Sequence, residues 1–466
     1  MTPPYTRLVS RVLFPLHEWL KGHRSPANLE LLETTQWWSP EQLESFRVER
    51  LRRLLARAGT TVPYYRRLFH QLGFDPGAVT AVTDLSALPF LDKAVVRANF
   101  ADLVAEDAQG LVEQRTTGST GEPFTFLISR ERIAFDVAAK WRATRWWGVD
   151  IGDREVLVWG SPIEHGAQNL VRGVRDRVLR SHLLPAADLG PAEMDSYLAT
   201  IARTRPRMLF GYPSMLAQLA RRARERGLDM ISLGIRVAFV TAEVLQPPWR
   251  EAISEVFCPV ANEYGARDAG LMARECPEGG LHVTNEYLVL EILDEDGRPV
   301  VPGQPGEVVV TNLASGAFPF IRYRTGDLAA FDLRSCPCGR RLPLLKEVVG
   351  RSNDCLTAAD GRLVHGSAFN YLLRALPDIQ AYKIEQETLS SLRVMLIVGP
   401  AFPAGAQEQI ARRYREILGP GTDVRVELVT DIPREASGKF RHVVSRVGKD
   451  GAPAVPSATT GKLASE

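Results

Sequence analysis

The chain has 466 residues, 45% of them apolar and 24% charged, and 57 Lys and Arg against 55 Asp and Glu leave a net charge of +2. This balance excludes wholesale disorder and a fibrous repeat, and near-neutrality supplies no bulk attraction for a nucleic acid. At roughly 100–200 residues per domain the length holds about two to four domains, and 31 Pro and 37 Gly imply more turns than a helix bundle uses.

No apolar run approaches the ~18 residues of a membrane span. Leu8–Leu20 is interrupted by Arg11, Pro15, His17 and Glu18, so a secretory signal is not expected. The segment reads as a short amphipathic helix lying on its domain, with attachment to a membrane surface as the other reading. Five Cys, an odd number, without an export signal point to a reducing, cytoplasmic setting.

The first hundred residues read as helical. Ser39-Pro40-Glu41-Gln42 is a capping box with Pro at the first helical position. Leu43, Phe46, Leu51, Leu54 and Leu55 follow at helical spacing, and Gly59 stands where a C-terminal cap is expected. From about residue 110, short Val- and Ile-rich runs such as Glu155–Trp159 and Ile235–Val240 alternate with helix-like stretches, one opened by Pro247-Pro248. That alternation predicts an α/β domain with a partly parallel sheet. Leu288–Leu293 and Glu307–Leu313, separated by the turn Asp294-Glu295-Asp296-Gly297, predict antiparallel strands. Beyond Asp354, strands at Tyr382–Glu387 and Leu392–Val398, a helix over Ala406–Leu418 and a strand through Val424, Val426 and Leu428 predict a small α+β domain. The tail at 448–466 is rich in Ala, Gly, Pro, Ser and Thr and reads as disordered.

Four segments carry chemistry. Thr116-Thr117-Gly118-Ser119-Thr120-Gly121 packs four hydroxyls and two glycines into six residues. Such a loop can bring backbone N–H groups and hydroxyls around a triphosphate, or it can be a polar turn. No Gly-Lys-Ser/Thr follows, so it is not a Walker A loop. Tyr323-Arg324-Thr325-Gly326-Asp327 places a carboxylate in what reads as a turn, able to accept two ribose hydroxyls or to cap the turn itself. Gly350-Arg351 offers a guanidinium, suited to ribose and phosphate oxygens, at a domain junction. Ser437-Gly438-Lys439 offers a mobile point charge. Taken alone, each of the last two is also an ordinary surface feature.

Cys276 and His282 (Cys-x5-His) and Cys336 and Cys338 (Cys-x-Cys) form two further clusters. Three thiols and an imidazole would close a tetrahedral structural zinc site, although Cys-x-Cys is tighter than the usual spacing; the other reading is unligated thiols. Cys258 and Cys355 lie in apolar contexts and read as core residues. His165 could line a pocket or be structural, and the Arg-rich stretches Arg172–Arg180 and Arg221–Arg226 read as solvated helix faces, with a hold on CoA phosphates as the other reading. Trp146 and Trp147 are expected in a core or at a domain face.

In this order and at these separations, the four segments resemble the adenylate-forming superfamily of acyl-CoA synthetases, and most of all the phenylacetate–CoA ligase family in its capsule-biosynthesis-like branch. Val62-Pro63-Tyr64-Tyr65, Leu88-Pro89-Phe90-Leu91-Asp92-Lys93, Phe210-Gly211-Tyr212-Pro213-Ser214 and Glu263-Tyr264-Gly265-Ala266-Arg267-Asp268 extend the resemblance over nearly the whole chain. It implies a large multi-subdomain α/β adenylate-forming domain over residues 1–350 and a small mobile α+β domain over 351–447. It implies that the loop Thr116–Gly121 holds the β- and γ-phosphates of ATP. Thr241, Ala242, Glu243, Tyr264 and Gly265 would line the adenine and substrate pocket, with Tyr212 beside the acid. Asp268 stands where the family usually has a Glu that binds Mg²⁺, Asp327 would hold the ribose and Arg351 the ribose-phosphate region. Lys439 would bridge the carboxylate and α-phosphate, and Asn353 replaces a common Asp hinge residue. The implied activity is activation of an aryl or arylacetic acid to an acyl-adenylate, then thioester formation with CoA. Transfer to an amine or hydroxyl is the alternative, and a non-catalytic nucleotide-binding relative a third. The residues leave the oligomeric state open, a homodimer included.

Overall fold

A computed structural model describes residues 3–116, 124–159, 170–186, 190–351, 355–360, 363–365, 369, 372–373, 376–432 and 440–447. Outside them lie the sequence-predicted residues Thr117, Gly118, Ser119, Thr120, Gly121, His165, Asn353 and Lys439, the tail 448–466, and the side chains of Arg172, Arg351 and Cys355. Two compact units meet in sequence between Gly350 and Arg351.

In the large unit the amino-terminal hundred residues are helical, as their periodicity predicts. The Ser39 hydroxyl accepts from the Gln42 N–H at 3.3 Å and the Gln42 side chain accepts from the Ser39 N–H at 2.9 Å, closing the capping box of helix Pro40–Thr61. That helix does not stop at Gly59. It runs two residues further, and Val62 before Pro63 ends it, because the residue preceding a proline is pushed out of the helical region. Gly59 serves packing instead: a Cβ there would lie 3.0 Å from the Phe69 ring of the next helix, Pro63–Leu72.

An eleven-stranded sheet forms the centre of this unit. At one edge Ser181–Leu184, Glu155–Val158, Met208–Gly211, Val237–Val240 and Val260–Ala266 lie side by side and parallel. From Val260–Ala266 the sheet continues through antiparallel pairs with Gly270–Glu275 and Leu281–Val283. Leu288–Leu293 pairs antiparallel with Gly306–Asn312 at the far edge, as the turn between them predicts. Strand Val237–Val240 is buried along its whole length, as a parallel strand covered on both faces must be.

Helix Arg130–Trp146 packs on the core that includes Phe135, Trp141, Tyr287 and Leu288. It also carries Arg142, 2% exposed, whose Nη1 donates to Glu286, itself fully buried, while the Thr35 hydroxyl donates to the same carboxylate at 3.1 Å. Removing one partner of such a buried pair costs about 3–5 kcal/mol, so this contact clamps helix Ser25–Thr35 to helix Arg130–Trp146 and to the turn before strand Leu288–Leu293.

The small unit holds a four-stranded sheet in the order Asp423–Leu428, Ser391–Val398, Ile379–Thr388, Val443–Ser445. Helix Ala406–Leu418 turns Ile410, Ala411, Tyr414 and Leu418 into its core. The last strand, parallel to Ile379–Thr388, has no counterpart in the sequence-based expectation.

Candidate active site at the carboxyl ends of the parallel strands

Tyr212, Thr241, Ala242, Glu243 and Asp268 follow the ends of the parallel strands, the position at which open α/β sheets place ligands. Val158 is followed by Trp159, Gly211 by Tyr212, Val240 by Thr241, and Ala266 by Arg267 and Asp268. The Thr241 N–H donates to the Gly211 carbonyl at 3.2 Å, carrying the register past the strand ends. Ala242 then takes φ +68°, a left-handed conformation that costs a non-glycine residue roughly 1–2 kcal/mol. Strain at the tip of a strand bearing motif residues marks a backbone position held by its surroundings. The next residue, Glu243, accepts from the Ser214 N–H at 3.2 Å, at the first turn of helix Pro213–Glu225.

Gly211 fits because strands approach closely there: a Cβ would lie 2.6 Å from the Val158 carbonyl oxygen. We expect Gly211→Ala to lower unfolding stability by about 1–3 kcal/mol, as overpacking does; an unchanged denaturation midpoint would contradict this close approach.

Asp327 does not sit in a turn, as its motif suggests. It lies within the strand Tyr323–Asp332, where the register against Gly306–Asn312 slips and Thr325-Gly326-Asp327 bulges opposite Val308. Gly326 takes φ +73° to make the bulge, and the Thr325 hydroxyl both donates to the Val308 carbonyl at 2.9 Å and accepts from the Asp327 N–H at 3.1 Å. A bulge re-aims side chains. The Asp327 carboxylate accepts from the Tyr264 hydroxyl at 3.0 Å, joining two motifs far apart in sequence.

A second tyrosine–carboxylate pair lies close in the chain to the first. The Tyr323 hydroxyl donates to Asp268 Oδ2 at 2.6 Å, and Asp268 is 6% exposed. Arg132, buried, donates to the Asp268 carbonyl at 2.8 Å and to the Arg267 carbonyl at 2.5 Å, fixing the backbone that presents this carboxylate. With Oδ2 engaged, Oδ1 is the oxygen left to face a cation. Mg²⁺ commonly takes one or two carboxylates together with phosphate oxygens and water, and a single carboxylate oxygen fits that use.

Leu88-Pro89-Phe90-Leu91 straps the same strand. Arg322, at φ +50°, donates to the Ser86 and Leu88 carbonyls at 3.2 and 2.7 Å and pairs with Glu291 at 3.0 Å. Leu91 exchanges backbone hydrogen bonds with Arg322 and Arg324. Thr116 closes strand Val112–Thr116 opposite Phe124, and its buried hydroxyl has no hydrogen-bond partner among the described residues. Arg351 ends strand Leu344–Arg351 rather than standing in a loop.

Sequence reasoning missed three contributors. Tyr323 lay in a quoted motif but carried no assigned role. Trp159 stacks on Tyr212 with centroids 4.5 Å apart and planes at 28°, a pairing that only adjacent parallel strands reveal. Arg132 has no signal in sequence at all, because nothing local distinguishes a buried guanidinium on a helix.

Elsewhere in the large unit Cys276, His282, Cys336 and Cys338 converge, with their ligand atoms all within 4.8 Å of one another. Sγ of Cys276 and Cys336 are 3.5 Å apart, and His282 Nε2 is 3.2 Å from Cys338 Sγ. A tetrahedral zinc with ~2.3 Å bonds to sulfur spaces its thiolates by about 3.8 Å, so the spacing fits. A Cβ on Gly280 would lie 2.6 Å from Cys336 Sγ, so the cradle leaves room for a glycine alone. Burial holds His282 down to about 4, keeping the imidazole in its neutral, ligating form, and pushes the Cys276 thiol up to about 12. Trp146 stands edge-on to His282, and Arg340 lies over the Trp146 and Trp37 rings at 4.6 and 5.1 Å. Trp147 Nε1 donates to the Glu275 carbonyl at 3.0 Å. Cys258 is buried, as expected.

A mixed sheet with motif residues at its strand ends, followed by a small α+β unit, agrees with the architecture of adenylate-forming enzymes. The chain matches the AMP-binding enzyme family over residues 105–315 and the CapK C-terminal domain over residues 356–446, and it belongs to the adenylate-forming acid–CoA ligase family. It is 27% identical over 439 residues to a phenylacetate-coenzyme A ligase of Thermus thermophilus, covering 87% of this chain and 96% of that one. To the phenylacetate-coenzyme A ligase of Escherichia coli (strain K12) it is 25% identical, over 87% and 95% of the two chains. Its fold is similar to that of a solved 2-hydroxyisobutyryl-CoA ligase, with a TM-score of 0.69 and 22% identity over 88% of this chain and 90% of that one.

Proposed function

We propose that the chain uses ATP to activate a carboxylic acid to an acyl-adenylate and then forms the CoA thioester. The observation that carries this reading is the pairing of the motif residues Tyr264 with Asp327 and Tyr323 with Asp268. A carboxylate oxygen attacks the α-phosphorus, the bond to the β-phosphate oxygen breaks and pyrophosphate leaves. The CoA thiol then attacks the acyl carbon, AMP departs and the thiol proton goes to solvent. Two anions must meet in the first step, which calls for placed positive charge. In this reading Lys439 sits between carboxylate and α-phosphate, Thr116, Thr117, Gly118, Ser119, Thr120 and Gly121 surround the terminal phosphates, and Asp327 and Arg351 hold the ribose. Thr241, Ala242, Glu243 and Gly265 border the adenine and the acid. Magnesium, when bound at Asp268, supplies charge neutralisation of the phosphates.

The stacked Trp159 and Tyr212 favour an aryl or arylacetic acid, because a flat apolar acid packs on aromatic faces. The test is acid-dependent exchange of pyrophosphate into ATP across an acid panel, with products from CoA, amine and hydroxyl acceptors read by mass spectrometry. Aryl acids leading the panel with thioester as product is the expected outcome. Amide or ester products would favour the acceptor alternative, and silence across the panel would favour a nucleotide-binding relative.

We further infer a structural zinc at Cys276, His282, Cys336 and Cys338, and a cytoplasmic setting in keeping with these reduced thiols. The described residues contain no helix long and apolar enough to cross a membrane.

A further inference from the structure

Five of the fourteen exposed large hydrophobic side chains among the described residues fall within thirteen positions of the amino-terminal helical segment. Leu8, Val12 and Leu16 are about half exposed, and Trp19 and Leu20 are 72% and 71% exposed. The others are scattered singly, which is ordinary for a protein surface. The spacing of the five is that of one helix face, and the helical residues Pro4–Leu20, with a wider turn over Val9–Leu13, extend for about 25 Å at 1.5 Å per residue.

The opposite face is already committed to the body of the large unit. Val9 and Phe14 are buried in the core, and Val9 packs so closely on Gly152 that a Cβ there would come within 2.5 Å of it. The Thr6 hydroxyl donates to Asp153 at 2.8 Å, and the Tyr5 hydroxyl to the Val178 carbonyl at 2.9 Å. The helix is therefore held in place while its second apolar face stays outside.

The exposed charges that the segment itself carries have one sign. Arg7, Arg11, Lys21 and Arg24 are exposed, and Arg180 lies 3.7 Å over the Tyr5 ring. Between residues 3 and 29 the sole acid is Glu18, which is buried and accepts from Ser25 at 2.5 Å, with the His17 and His23 rings at 3.0 and 3.2 Å. A second copy of the chain seated on this face by a two-fold axis would set cations against cations with no exposed acid in the segment to answer them. An anionic bilayer surface answers both features: its headgroups take the arginines and lysine, and its acyl boundary takes the apolar stripe. Trp19, at the end of the stripe, is the residue type that prefers this boundary.

We propose that the face formed by Leu8, Val12, Leu16, Trp19 and Leu20 docks the enzyme on an anionic membrane surface, the helix lying in the interface plane and not crossing it. The test is cosedimentation of the full chain with phosphatidylcholine vesicles that do or do not contain phosphatidylglycerol. The parent chain is expected to bind the anionic vesicles, less so as salt rises. A variant combining Leu16→Ser, Trp19→Ser and Leu20→Ser should lose at least about tenfold in partitioning, and one combining Arg7→Gln and Arg11→Gln should bind more weakly and lose part of the salt dependence. Both variants should keep the parent's thermal unfolding, since none of these side chains is in the core. Failure of the parent to bind anionic vesicles, or equal binding by the triple-serine variant, overturns the proposal. A concentration-dependent dimer that forms without lipid and is abolished in the triple-serine variant overturns it too, by making a second copy the occupant.

Discussion

Replacing Lys439 by alanine is expected to lower acid-dependent pyrophosphate exchange by about 10²–10³-fold, the usual loss when one electrostatic group aimed at developing transition-state charge is removed. Thioester formation from supplied acyl-adenylate and CoA should stay near the parent rate. The asymmetry follows from the charges in the two half-reactions. In the first, an anionic carboxylate approaches the α-phosphate of a polyanion, and a point charge between them lowers a barrier that neither reactant lowers itself. In the second, the acyl carbon of a mixed anhydride is already activated, and AMP leaves without help from a cation at the carboxylate. A rapid-quench comparison of the two half-reactions reads this directly. Equal loss in both, in a variant with parent-like unfolding, would show that Lys439 supports the fold or both steps alike.

Stripping metal from the protein, or changing Cys276 or Cys336 to serine, is expected to cost more in stability than any single change at the strand ends. Structural zinc contributes about 10–16 kcal/mol of apparent binding free energy in small peptide sites. A site embedded in a larger core recovers part of this from packing. Cys276 follows strand Gly270–Glu275, His282 lies in strand Leu281–Val283, and Cys336 and Cys338 form a turn sixty residues on, so their ligation would add a tie beside the pairing of His282 with Leu344. The cluster also supports the Trp146, Arg340 and Trp37 stack, and through the Trp146 Nε1 and Arg340 Nε bonds to Gln36 at 2.8 and 3.0 Å it reaches the amino-terminal helices. The expected result is one zinc per chain by elemental analysis and a thermal midpoint lowered by many degrees in the metal-free protein, restored by zinc. A metal content near zero in protein purified without chelator, with an unchanged midpoint after chelation, would leave four unligated side chains as the correct description.

Much of the fold could be read along the chain because its causes are local. The Ser39 capping box, the helix Ala406–Leu418 and the hydrophobic run of Val237–Val240 each follow from spacing within a few residues. Gly59 misled because glycine has two uses: it can cap a helix, or it can let a neighbouring ring approach, and Phe69 decides between them. Strand Val443–Ser445 escaped notice because three residues carry no periodicity, and its partner Ile379–Thr388 lies some sixty residues earlier. Asp327 was marked by its motif, yet its setting in a strand bulge depends on the register of a neighbouring strand, which no local pattern encodes.

Length, composition and motif order were enough to point to a two-part α/β enzyme of the adenylate-forming kind, since those properties belong to residue types and their sequence. Contacts between distant residues were decided only by folding. Tyr264 met Asp327, Tyr323 met Asp268, and three thiols and an imidazole closed on one point because strand pairing brought together residues whose separations in the chain bear no relation to their separations in space. The exposed stripe from Leu8 to Leu20 shows the same division: its amphipathic spacing is a property of the sequence, but which of its two apolar faces stayed outside was set by the packing of Val9 and Phe14.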